Sequence, residues 1–137
     1  MKIMFCHDGT EKAQKALEKT VGYFKPLKPD MVLMCVAEDV LDASLEDERI
    51  TEEYKKEHSD VIHGAAEWVA GNGLEVHVML ASGDPRRMIV EAVEKQLPDI
   101  VVVARREKSA LAGVFSKSLS AYLVKNVGCH LLILGPL

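Results

Sequence analysis

The chain has 137 residues, a length typical of one domain, and 48% of them are hydrophobic, which is enough to build a sizeable core. Its formal net charge of −4 argues against nucleic-acid binding, and no apolar run in the sequence is long enough to cross a membrane. We therefore expect a single domain over residues 1–137, with neither a nucleic acid nor a membrane as its partner.

The N-terminus and the cysteines favour a cytoplasmic protein. Residues 1–5 enter a strand pattern directly and charge follows at Asp8, which leaves too short an apolar span for a signal peptide. Cys6, Cys35 and Cys129 are odd in number and lack both metal-site and CxxC spacing. This pattern suits a reducing compartment, so we expect three buried thiols and no metal ion.

Strands and helices alternate from the first residues onward. A strand at Lys2–His7 ends in the Asp8-Gly9-Thr10 turn, and Thr10 can cap a helix that continues to about Phe24. Met31–Val36 is apolar throughout, which predicts a second, fully buried strand. Glu38–Ile50 is acidic and lacks a clear period, and we expect it to be irregular.

The middle of the chain predicts a long helix followed by a strand of different character. Thr51–Ala70 has an apolar stripe at helical spacing, and Gly71-Asn72-Gly73 ends it. Leu74–Leu80 alternates apolar and other residues, which is typical of a strand at the edge of a sheet.

The last third repeats the alternation. Gly83-Asp84-Pro85 predicts a helix start with Asp84 as its cap, and Ile100–Ala104 is again a fully apolar strand. A final helix is expected to begin near Ser116 and to end at Gly128, before a strand at Leu131–Leu134.

This βαβαβαβαβ order predicts a doubly wound α/β fold: one five-stranded parallel sheet in the order 3-2-1-4-5, with helices on both faces. In such sheets ligands bind where the chain leaves the first strand in two directions, here between strands one and four. Asp8 follows strand one and the basic segment Arg105–Lys108 follows strand four. Residues 104–137 carry five bases and one acid, a net of +4 that suits either an anion site or an ordinary basic surface.

With these pieces placed, the chain resembles the universal stress protein family over nearly its whole length. The matching residues are Asp8-Gly9-Thr10, Val36, Gly83-Asp84-Pro85 and Asp99–Val103, followed by the last helix and strand. The resemblance implies an adenine nucleotide alpha hydrolase-like fold and a nucleotide crevice, in which Asp8 contacts adenine and Val36 shapes its pocket.

The nucleotide-binding members of that family share a glycine pattern after strand four: Gly, two residues, Gly, nine residues, Gly, then Ser or Thr. The three glycine positions fall here on Ala104, Glu107 and Lys117, and the last position falls on Ser118. The spacing is kept, but only Ser118 retains the residue type.

The loss of the glycines predicts a degenerate site. A carboxylate such as Glu107 at about 4 Å from a phosphate costs on the order of 4 kcal/mol at an effective dielectric constant near 20. The positive charges of neighbouring lysine and arginine side chains oppose this repulsion, but these side chains are flexible. We expect no tightly bound cofactor, with ATP held weakly if at all. The candidate site residues are Asp8, Val36, Ala104, Arg105, Arg106, Glu107, Lys117 and Ser118.

The last strand predicts a homodimer. Leu131, Leu132, Ile133 and Leu134 are apolar without alternation, yet the topology puts them at a sheet edge, which a second copy would cover. The resemblance implies dimers along the same edge. The expected function is stress-linked regulation or interaction with an unknown protein partner, and the alternative is an ATP-binding switch with slow or no hydrolysis.

Enzyme hypotheses find little support. A phosphatase loop would pair Cys6 with an arginine, but the corresponding residue is Lys12, and Asp8 would repel the substrate. A phospho-receiver domain would need an acceptor aspartate after strand three, where Leu80-Ala81-Ser82 stands instead. No Ser-His-Asp triad can be assembled, so we expect no catalytic residues and no enzyme activity.

Overall fold

The structure, a computed structural model, describes residues 1–37, 48–105 and 119–137. The strands are β1 (Lys2–Cys6), β2 (Asp30–Ala37), β3 (Val76–Ser82), β4 (Ile100–Ala104) and β5 (His130–Leu134). The helices are α1 (Glu11–Phe24), α2 (Glu48–Gly71), α3 (Pro85–Gln96) and α4 (Leu119–Asn126), with a 3₁₀ turn at Lys25–Leu27 after α1.

The five strands form one sheet in the order β3-β2-β1-β4-β5, and all four pairings are parallel. This confirms the predicted fold class and places the alternating third strand at an edge. α1 and α2 pack on one face of the sheet and α3 and α4 on the other, so each face has its own apolar layer. In the part of the chain that the structure describes, no helix is long and apolar enough to cross a membrane.

Helix ends follow the predicted capping residues in three places. Thr10 accepts a hydrogen bond from the Ala13 N–H, Asp84 accepts one from the Arg86 N–H, and Gly73 adopts a left-handed φ of 82° after α2. Gly128 is different, because α4 ends at Asn126 and Gly128 does not have a positive φ. Leu97 holds the left-handed cap position after α3 instead, with φ of 48°.

Besides the end of α4, two elements differ from their predicted bounds by two residues or more, whereas β1, β2 and β5 differ by one. α2 begins at Glu48, inside the stretch expected to be irregular, because a helical turn of mostly charged residues carries no apolar period to reveal it. β3 runs two residues later than expected, since Ala81 and Ser82 continue the pairing with Val36 and Ala37 of the longer β2. The predicted start of the last helix near Ser116 lies outside the described residues.

Candidate functional site

The sheet register brings three of the candidate residues to one level. Cys6 pairs with Met34 of β2 and with Val103 of β4. Asp8, Val36 and Arg105 each lie two residues beyond these partners, on three adjacent strands spaced by about 4.8 Å. The carboxyl ends of β2, β1 and β4 thus lie side by side at the switch point of the sheet, where the topology predicts a ligand crevice.

The turn after β1 is held by hydrogen bonds of its own. The Asp8 carboxylate accepts from both the N–H and the hydroxyl group of Thr10 through Oδ1. Gly9 has φ of 85°, a conformation that other residues adopt only with strain. A β-carbon at Gly9 would lie 3.8 Å from Nε2 of His58, so this turn also faces α2. Asp8 is exposed and available to a ligand through its second oxygen.

His7 supports the turn after β1, and the sequence pattern did not single it out. Its side chain is only 3% exposed, and its Nδ1 accepts a hydrogen bond of 3.0 Å from the Gly9 N–H. Nε2 lies 3.2 Å from Oε1 of Gln14, whose amide nitrogen in turn lies 3.4 Å from the Glu18 carboxylate. Because an N–H can only donate, the unprotonated nitrogen is Nδ1 and Nε2 carries the hydrogen. Histidine 7 thereby fixes the turn that presents Asp8.

Burial lowers the pKa of His7, and this effect outweighs the hydrogen bond to Gln14 and the charge of Asp8, which both raise it. The ring is therefore neutral at physiological pH. A second proton on Nδ1 would face the Gly9 N–H and break the bond that orders the turn.

The β4 side of the crevice is closed by strand pairing. Ala104 is the last residue of β4, pairs with Leu134, and has no positive φ, so its side chain carries none of the strain that a left-handed glycine position would impose. The Arg105 N–H donates to the Leu134 carbonyl at 2.7 Å. Arg105 also packs against Gly135. A β-carbon added to Gly135 would lie 2.6 Å from Cβ of Arg105. Sequence analysis did not predict this close approach of Gly135 to Arg105.

Half of the candidate site can be placed in this way. Asp8, Val36, Ala104 and Arg105 meet at one end of the sheet. The other four candidates lie outside the described residues: Arg106, Glu107, Lys117 and Ser118.

Cys35 is buried but Cys6 and Cys129 are only partly buried, which corrects the expectation of three buried thiols, and none of the three suits nucleophilic chemistry. Burial raises the pKa of Cys6 to about 12 and that of Cys35 to about 11, and it also raises the pKa of Cys129. A phosphatase nucleophile needs the opposite shift, toward a thiolate at neutral pH. Within the described residues, no three His, Cys, Asp or Glu side chains form a group able to hold a metal ion.

The fold is that of a doubly wound α/β protein, in which the carboxyl ends of β1 and β4 meet at the switch point of the sheet. The model of the universal stress protein family matches residues 1–135, and the chain belongs to that family. It is 26% identical over 147 aligned positions to the universal stress protein Sll1388 of Synechocystis, with 96% of each chain covered.

Solved structures of low sequence identity share the fold. The protein MJ0577 superposes with a TM-score of 0.85 at 18% identity, covering 99% of this chain and 96% of its own. A universal stress protein family protein from Arabidopsis thaliana, At3g01520 with AMP bound, gives a TM-score of 0.73 at 20% identity, covering 98% of this chain and 90% of its own. At these identities the likeness establishes the fold.

Proposed function

We propose that this protein is a cytoplasmic, non-enzymatic regulator of the universal stress type, in which the switch-point crevice binds ATP weakly or not at all. Membership of the family supports the regulatory role. The weak binding of nucleotide is supported by one observation at the end of β4, the hydrogen bond of the Arg105 N–H.

The Arg105 amide is already engaged at the point where a phosphate loop would begin. A glycine-rich loop binds phosphates through backbone N–H groups that point away from the sheet. Here the Arg105 N–H donates to Leu134, so it extends the ladder between β4 and β5 rather than facing the crevice. The neighbouring glycine positions of the pattern carry Glu107 and Lys117, and the charge of Glu107 opposes any phosphate bound nearby.

A second candidate, a nucleotide-binding switch, is favoured by the crevice itself and by the relative that has AMP bound. Asp8 and Val36 stand at one level beside β1, as an adenine pocket of the family type would require. A monophosphate carries less charge than ATP toward Glu107, so the electrostatic penalty is smaller. AMP would bind more tightly than ATP under this hypothesis.

The edge strand β5 supports a homodimer. Its residues Leu131–Leu134 carry no charge, and Ile133 is 41% exposed although it is a large apolar side chain. An uncharged apolar edge pairs readily with another strand, and a second copy of the chain would cover it.

Two measurements test the proposal. Mass spectrometry of the supernatant after denaturation should find no stoichiometric nucleotide, whereas ATP at one equivalent per chain would refute weak binding. Light scattering should give a dimer for the wild type and a monomer for Ile133→Lys. Leu80→Lys is the matched control, because Leu80 is 49% exposed on the opposite edge strand. A monomeric wild type, or dissociation by the control alone, would exclude the β5 interface.

A further inference from the structure

A second concave site opens at the same end of the sheet, but on the β3 side and beneath the beginning of α2. The cavity has a volume of about 370 Å³, within the range of small-molecule pockets. Its walls include Ala37, Lys55, Lys56, His58, Leu80 and Ser82. The four described residues of the nucleotide crevice are not among the residues that line it.

The cavity arises because the sheet remains apolar beneath the N-terminal part of α2, whereas the helix face above it becomes polar there. α2 buries Ile62, Ala65 and Val69 against the sheet, at the spacing of one helix face. Toward the N-terminus, the same face continues with Ser59 and Lys55. A lysine keeps its charged end in water and cannot fill an apolar layer, so the helix leaves the strands below it uncovered.

The floor of the cavity is therefore apolar, and at Leu80 it is exposed to solvent. Ala37 ends the inward-facing series of β2, and Leu80 continues the series of Val76 and Val78 on β3. Leu80 is 49% exposed, whereas the side chains farther along this face are covered by α2. Covering such a surface releases its water, which favours an apolar ligand body of matching size.

The wall of the cavity, unlike its floor, carries charged side chains. Lys55 and Lys56 line the cavity, and within the described residues no carboxylate does so. The acids of the same helical segment, Glu52, Glu53, Glu57 and Asp60, are exposed and do not line the cavity. Two cations beside an apolar floor make a local positive potential in a chain whose net charge is −4.

We propose that this cavity binds a small amphiphilic carboxylate, a site separate from the nucleotide crevice. The alkyl chain lies over Ala37 and Leu80, and the carboxylate is held by Lys55 and Lys56 at the mouth. Each lysine ammonium group is a flexible point charge that can donate to one oxygen of the carboxylate, so the pair can hold the head group without the fixed geometry of an arginine fork. The cavity adjoins the candidate adenine pocket, because Ala37 follows Val36 and His58 lies beside Gly9, so competition with AMP tests whether the two sites are separate.

The test uses octanoate as the anionic probe, followed by amide NMR spectra of the labelled full chain. The expected result is saturable shifts at the resonances of Ala37, Leu80 and Ser82. Octylamine, which has the same alkyl chain and a positive charge, should leave these resonances unshifted. Equal shifts with the amine, or octanoate shifts spread over the whole surface, would overturn the proposal. AMP added at saturation should not displace octanoate, and full displacement would equally overturn it.

Paired variants separate the two parts of the site. Leu80→Asp should weaken octanoate binding about tenfold or more, because the apolar floor is lost and a negative charge is gained. Leu97→Asp makes the same change at a residue that is 77% exposed elsewhere, and affinity should stay within about twofold. Lys55→Glu with Lys56→Glu should abolish saturation, whereas Lys15→Glu with Lys19→Glu on α1 should not. Equal losses in a variant and its control would refute the assigned cavity.

Discussion

His7 offers the sharpest perturbation of the candidate site, because one buried ring holds the turn that presents Asp8. The Gly9 N–H donates to Nδ1 at 3.0 Å, and Nε2 lies 3.2 Å from Gln14. Two replacements differ in what they preserve. His7→Asn keeps an acceptor near the Gly9 N–H but does not titrate, while His7→Phe removes both hydrogen bonds and keeps the ring volume.

At neutral pH, the change in the free energy of unfolding depends on which hydrogen bonds each substitution removes. Removing a partner from a buried hydrogen bond costs about 1–3 kcal/mol, so His7→Phe should lower the free energy of unfolding by about that amount. His7→Asn should lose less, since the bond to Gly9 survives and only the contact with Gln14 is missing.

The pH dependence has a definite sign. The pKa of His7 is lowered in the folded protein, so as the pH falls the unfolded chain binds a proton first. The free energy of unfolding is unaffected by this group above the ordinary histidine pKa of about 6.5, and it decreases below that pH with a slope of up to about 1.4 kcal/mol per pH unit. The decrease stops once the pH passes below the pKa of folded His7.

Urea unfolding of the wild type and both variants, between pH values of about 7.5 and about 5, measures this slope. The other histidines are present in all three proteins, so only the difference in slope reports His7. Both variants should show a shallower decline than the wild type below a pH of about 6.5. Equal slopes in all three proteins would refute the neutral, buried imidazole.

Three further predictions concern stability and reactivity. Leu97→Gly should raise the free energy of unfolding by about 1 kcal/mol in urea titrations, because the left-handed cap suits glycine and the leucine side chain is exposed; a decrease would contradict it. Gly135→Ala should lower it by about 1–3 kcal/mol through the clash with Arg105, and an unchanged value would contradict that close approach. Native Cys6 and Cys35 should react with a thiol reagent at neutral pH far more slowly than in urea, and equal rates would contradict their raised pKa values.

The sheet order was predictable because the strands differ in burial. Ile100–Ala104 is apolar on both faces and Leu74–Leu80 alternates, and a parallel sheet needs its alternating strand at an edge. The capping residues Thr10 and Asp84 likewise act through contacts with their own neighbours in sequence, which a local pattern can reveal.

The site was less predictable because its contacts join distant residues. The Arg105 amide reaches Leu134, and Gly135 leaves room for Arg105, yet neither residue type indicates this pairing. The cavity beneath α2 joins Lys55 and Lys56 to Leu80 of β3, residues that a local sequence pattern leaves on separate elements. His7 ends an apolar strand, where a buried titratable ring has no pattern to announce it.

Calorimetric titration with ATP and magnesium tests the central claim most directly. The wild type should bind with a Kd of about 1 mM or weaker, and the triple variant Ala104→Gly, Glu107→Gly, Lys117→Gly should bind at least about tenfold more tightly. Among single variants, Glu107→Gly should improve affinity most if charge is the obstacle, because it removes a carboxylate from the second glycine position of the pattern. Tight, magnesium-dependent binding by the wild type would contradict the account, and would mean that the basic side chains replace the glycine backbone.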